Sequence, residues 1–98
     1  MYAIIWRYDV NEANRDRFED LYGRNGAWAR LFSKVEGYLG TELLRSEHIA
    51  GEYMTIDRWT SREDFESFKD RFGEEYLALD AACESLTETE QSLGNFEF

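Results

Sequence analysis

The chain has 98 residues, 43% of them hydrophobic and 16% aromatic, enough for one domain with a real core and too few for two. Its formal net charge of −10 and pI near 4.5 repel polyphosphates and anionic lipid surfaces, and no Lys/Arg cluster interrupts that field, so neither nucleic acid nor a membrane is an expected partner. Cys83 is the only cysteine and His48 the only histidine, which leaves no internal disulfide and no His-rich metal site; zinc and iron sites made by this chain alone are not expected. The longest N-terminal apolar run, Tyr2 to Trp6, is far too short for a signal peptide or a span, so the expectation is a soluble, cytoplasmic protein.

Residues 2–9 alternate as a strand, with Tyr2, Ile4, Trp6 and Tyr8 on one face and Arg7 and Asp9 on the other. Asn11 is placed to cap a helix over about 12–22, whose apolar face is Phe18, Leu21 and Tyr22. A second helix follows Gly26, with Trp28, Leu31, Phe32 and Val35 at i, i+3, i+4 and i+7. Residues 38–45 and 53–59 are rich in Tyr, Leu, Thr, Ile and Trp, and the polar insert Ser46 to Glu52 contains Gly51; together they predict an antiparallel hairpin. Ser61 stands at a helix N-cap with Asp64 three residues on. From there Phe65, Phe68, Phe72, Tyr76, Leu79, Cys83 and Leu86 keep one helical phase, with a bend expected at Gly73 because Glu74 and Glu75 suit a new N-terminus. Residues 88–97 return as a last strand, with Gly94 at a bulge.

The order strand, helix, helix, strand, strand, helix, helix, strand makes two βαβ halves around a central hairpin. It predicts one α+β domain over 1–98: a ferredoxin-like four-stranded antiparallel sheet with helices on one face. A domain of this size buries only about 60–65% of its unfolded surface. The strands at 2–9 and 38–45 are apolar on both sides, so the helix-free face calls for a second subunit.

Over nearly its whole length the chain resembles the antibiotic biosynthesis monooxygenase (ABM) domain of the dimeric α+β barrel superfamily. The likeness is sharpest in GYLGTELLR at 37–45 and YMTIDRWTSREDFESF at 53–68, where Gly37 opens the second strand and Arg58 and Trp59 close the third before a capped helix. The resemblance implies a homodimer whose two sheets meet to form a barrel with the helices outside. It also implies a small apolar or aromatic ligand, with oxidation that needs neither metal nor flavin; the alternative is a non-catalytic ligand-binding or structural module. Haem-degrading relatives use an asparagine on the first strand and a tryptophan and a histidine on the helix after the hairpin. Here Trp6 and Phe68 stand at the first two of those positions and the region around Leu77 to Leu79 offers no histidine, so that chemistry is not expected.

Trp6, Tyr8, Trp28, Phe32, Phe68, Phe72 and Tyr76 are the candidate walls of a ligand pocket between helices and sheet, or else simply core. Cofactor-free oxygenation requires a base and a dry site. Asp57, Glu42 and Tyr76 are candidate bases or proton relays, and Arg7 or Arg58 a candidate oxyanion holder, against the commoner role of such strand charges as cross-strand pairs. His48 reads as a solvated turn residue, Cys83 as a buried inert thiol, and Glu19, Asp20, Glu74 and Glu75 as solvated helix faces.

Overall fold

A computed structural model describes residues 1–98. Strand β1 (Tyr2–Asp9) is followed by a 3-10 turn at Glu12–Asn14, helix α1 (Arg15–Tyr22) and helix α2 (Ala27–Phe32). The hairpin β2 (Tyr38–Arg45) and β3 (Glu52–Trp59) comes next, then helix α3 (Arg62–Cys83), a 3-10 turn at Glu84–Leu86 and strand β4 (Thr89–Glu97). The sheet runs β2-β3-β1-β4, antiparallel throughout, which is the ferredoxin-like arrangement. No helix is long and apolar enough to cross a membrane.

Two local expectations are corrected and a third is met. Asn11 makes no side-chain cap, and the first helical turn is 3-10 before α1 begins at Arg15. Helix α2 stops at Phe32, so Val35 packs on the core from the connecting turn. The bend expected at Gly73 is present one residue earlier: α3 is two helical segments joined across a kink at Phe72 (φ −122°, ψ 26°), and the last stripe residue, Leu86, lies in the 3-10 turn beyond it. The apolar phase holds across the kink, so Phe68 before it and Tyr76 and Leu79 after it all pack on one core. The start of α3 follows the expected chemistry: the Asp64 backbone N–H donates to Ser61 Oγ at 3.1 Å, and Glu63 and Asp64 lie in the first turn.

Alternation along the strands divides the sheet into two faces. Tyr2, Ile4 and Tyr8 of β1 and Tyr53, Thr55 and Trp59 of β3 are buried beneath the helices. Trp59, Tyr53, Phe18 and Phe68 are the largest fully buried side chains, and the Trp59 ring lies 5.2–5.5 Å from those of Phe32, Tyr38, Phe65 and Phe68. The opposite face has no helix over it. It carries half-buried Ile5, Met54 and Ile56, with Leu44 43% and Phe96 49% exposed.

Two bulges set what faces inward. The β2–β3 register shifts between Tyr38 and Gly40, leaving Leu39 extra, and Gly40 takes φ +135°, a conformation that L side chains rarely adopt. Without the shift Glu42 would share the face of Tyr38; with it Thr41 faces the helices and Glu42 faces out. In β4 the shift falls at Leu93, next to Gly94 at φ +120°. It turns Asn95 inward, where its Nδ2 donates to the Tyr2 hydroxyl at 2.8 Å.

Candidate functional site

A cavity of about 150 Å³ lies between the helices and the covered face of the sheet. Its walls are aromatic: Trp6 and Tyr8 from β1, Tyr22 from α1, Trp28 and Phe32 from α2, and Tyr76 from α3. The sheet floor adds Thr41, Thr55 and Asp57, and exposed Asp80 and Glu90 complete the lining at the mouth. The Trp28 and Tyr76 rings meet edge to face at 5.2 Å, and Trp6 and Tyr8 are stacked at 6.5 Å. These rings hold one another in place and leave flat surfaces toward the space between them.

Asp57 is the one ionisable group on the floor. Its partners in register are Ile4 on β1 and Thr41 on β2, so neither side offers a cation. Thr41 Oγ1 donates to Asp57 Oδ1 at 2.6 Å, and the Tyr38 hydroxyl lies 2.5 Å from Thr41 Oγ1. With the Thr41 hydrogen committed to Asp57, Tyr38 is the donor in the second bond, and the chain runs Tyr38 to Thr41 to Asp57. Burial pushes the Asp57 carboxyl up to about 6, the Thr41 bond opposing this in part. The same burial, with Asp57 nearby, pushes the Tyr38 phenol up to about 12. Tyr8 and Tyr76 are raised as well, first by burial and then by surrounding carboxylates that include Asp57 and Glu90. At neutral pH the site therefore presents a mostly ionised carboxylate ringed by protonated phenols. Trp28 Nε1 is buried with the Tyr22 phenol and the Cys83 thiol nearby and meets hydrogen-bond geometry with neither.

Of the residues expected to line a pocket, Trp6, Tyr8, Trp28 and Phe32 surround the cavity, with Asp57 and Tyr76. Phe68 is instead fully buried against Trp59 and Phe32, and Phe72 stacks on Phe68 with Lys34 and Arg71 over its ring. Arg58 lies on the open face and hydrogen-bonds to Glu42. Arg7, also on that face, is held by Glu52 at 2.9 Å and by both Asp9 oxygens at 2.9 and 3.1 Å. His48 is exposed in the hairpin turn, and Cys83 is buried with its thiol pushed up, chiefly by burial. Thr41, Thr55, Tyr22, Asp80 and Glu90 are lining residues that the sequence reading missed. For Thr55 the signal was present: it shares the phase of Tyr53, Asp57 and Trp59.

The sheet order and the single helical layer define an α+β domain of the ferredoxin-like class with an aromatic cavity between its layers. The chain belongs to the antibiotic biosynthesis monooxygenase (ABM) family, whose family model matches residues 1–82. No curated protein sequence matches it. Among solved structures it is similar in fold to SnoaB, a cofactor-independent oxygenase from Streptomyces nogalater, at 23% identity and a TM-score of 0.77, covering 99% of this chain and 91% of that one. PA3566 from Pseudomonas aeruginosa is similar at 15% identity and a TM-score of 0.71, over 99% and 92% of the two chains. A mutant of MhuD, solved with two manganese protoporphyrin IX molecules per active site, aligns at 21% identity and a TM-score of 0.65, over 100% and 94%.

Proposed function

We propose that this chain binds a small electron-rich aromatic molecule between its helices and sheet and oxidises it with dioxygen, without metal or flavin, Asp57 taking the proton that starts the reaction. The observation that carries this is a carboxylate, lifted to about 6 and paired with no cation, on the floor of an aromatic cavity. A base of that strength is ionised at pH 7 and closer to a phenol in proton affinity than an ordinary carboxylate. The volume of about 150 Å³ suits one ring, since an apolar cavity of about that size is known to hold benzene.

For a 1,3-dihydroxybenzene ring the steps balance. Asp57 removes one phenolic proton, and the negative charge spreads to the ring carbon para to that oxygen. That carbon gives electrons to dioxygen and bonds one of its atoms. Loss of the ring hydrogen as a proton and cleavage of the O–O bond leave a carbonyl, while the outer oxygen departs as water. The hydrogens of that water come from the phenol, by way of Asp57, and from the ring carbon. The ring gives up four electrons and dioxygen accepts four, so one resorcinol and one dioxygen become one hydroxyquinone and one water. The Thr41 bond steadies the Asp57 carboxylate before it takes the proton, and the aromatic walls limit water around the anion.

The reading includes a homodimer formed on the open face of the sheet. Support comes from Ile5, Met54 and Ile56 along its middle and from exposed Leu44 and Phe96 beside them. Oxygen uptake with 5-propylresorcinol as the probe tests the chemistry. Wild type should consume oxygen and form the hydroxyquinone, and Asp57→Asn should lower kcat by about 10²–10⁴ while the probe still binds. Uptake no faster than in buffer, or an unchanged rate in Asp57→Asn, overturns the proposal.

A further inference from the structure

Every charged residue that lines the cavity is acidic. Asp57 lies on the floor, Asp80 and Glu90 at the mouth, and no lysine or arginine belongs to the wall. The carboxylates act on one another and on the phenols: Glu90 is raised by burial, then by Asp80 and Glu84, and Tyr76 by burial, then by Asp80, Asp57 and Glu90. Basic side chains approach the wall from outside it. Lys69 holds its ammonium 4.8 Å from the Tyr76 centroid, and Arg24 borders Thr41 from a separate surface groove. The chain as a whole adds a net charge of −10.

An aromatic cage with carboxylates and no cation has a definite preference. Indole and phenol faces attract a positive charge through their quadrupoles, and the carboxylates add direct attraction. Tyr76 already accepts one ammonium on its ring, that of Lys69. An anionic ligand meets three carboxylates and must lose its hydration with no counter-charge to replace it. We infer that the cavity selects an organic cation, a single aromatic ring bearing a protonated amine, over neutral and carboxylate-bearing rings of the same shape. The inference rests on the cavity being a ligand site, as proposed above, and adds the charge of what enters. The ring would lie among Trp6, Trp28 and Tyr76, and the ammonium would point to the mouth at Asp80 and Glu90, leaving Asp57 to the ring hydroxyl.

Three probes with one ring and near-equal side chains test this by calorimetry on the full chain: 5-(2-aminoethyl)resorcinol, 5-propylresorcinol and 3-(3,5-dihydroxyphenyl)propanoate. The amine should bind at least about tenfold tighter than the acid, with the neutral compound between, and the span should shrink as salt is added. In the Asp80→Asn/Glu90→Gln double variant, with folding checked by thermal melting, the advantage of the amine over the neutral probe should fall by at least about threefold. Equal or tighter binding of the acid, or a ratio that neither salt nor the double variant moves, overturns the inference. If 5-propylresorcinol binds while the charge order fails, the cavity reading stands without it. If the amine binds in the expected order but no oxygen is consumed, the cation preference stands and the oxidation falls. If no probe binds, both fall.

Discussion

Asp57 and Arg58 are adjacent on β3 and belong to different worlds. Asp57 points beneath the helices, where its neighbours in register are an isoleucine and a threonine and burial raises its pKa to about 6. Arg58 points to the open face and is paired with Glu42. The open face and the cavity wall differ in the same way. The open face pairs its charges, Arg7 with Asp9 and Glu52 and Arg58 with Glu42, whereas the cavity side holds carboxylates without a basic partner in the wall. Paired charges cost little and carry little chemistry. An unpaired buried carboxylate is costly, and its persistence in a cavity marks the side of the sheet where chemistry is sought.

The sharpest way to break the comparison is to empty each face in turn. Trp59→Ala on the covered face should cost about 3–5 kcal/mol in urea unfolding, because a fully buried ring leaves a cavity among four aromatic neighbours. Trp28→Ala should cost less than Trp59→Ala, since one side of that ring already borders empty space. A larger loss at Trp28 would show that the wall is core and the cavity incidental. On the open face the effect should be on assembly. Wild type at micromolar concentration should scatter light as about twice the 11.6 kDa chain, and Ile56→Asp should return it to one chain with its secondary structure retained. A wild-type monomer would remove the barrel.

Much of this division was legible in the sequence. Strand alternation, the Ser61 cap and the polar turn at Ser46 to Glu52 give four strands and the helix after the hairpin, because each rests on local chemistry. The aromatic walls were legible as a set of rings without a geometry, so Phe68 and Phe72 could not be separated from Trp28 and Phe32. Which charges face inward was not legible. It depends on the bulge at Leu39 and Gly40, which puts Thr41 inside and Glu42 outside, and a one-residue slip there exchanges the two. The general expectation that strand charges pair across a half-solvated face describes Arg58 and Arg7 and fails for Asp57. Asp80 and Glu90 reach the mouth only through the packing of the far end of α3 and of β4, both well separated from Asp57 along the chain.

Asp57 also gives the covered face a pH dependence. Its folded pKa of about 6 lies above the ordinary value of 3.8, so the folded chain binds the proton more tightly than the unfolded one. Its contribution to stability is therefore fully present below about pH 4 and is lost as pH rises through about 6. The carboxyl keeps some exposure through the mouth, so the loss should be about 1–3 kcal/mol. Asp57→Asn, which cannot ionise, should be more stable than wild type at pH 7 by about the same amount, and the difference should close toward pH 4. A variant less stable than wild type at pH 7 would mean that the carboxylate is paired with a cation after all.

The smallest expected effect lies on the other side of the strand. The Arg58 and Glu42 side chains are 35% and 46% exposed, so solvent screens their attraction, and a double-mutant cycle with Arg58→Ala and Glu42→Ala should give a coupling of about 0.2–1 kcal/mol. That size is expected if the pair stays at the rim of the proposed dimer interface, on the β2 side of the sheet, while Ile5 and Ile56 occupy its middle. Raising salt should reduce it further. A coupling above about 2 kcal/mol that salt leaves unchanged would mean that the partner chain strips water from the pair, because only desolvation makes such a contact strong. The open face would then hold buried charge of its own, and the contrast between Asp57 and Arg58 would narrow to one between an unpaired buried group and a paired one.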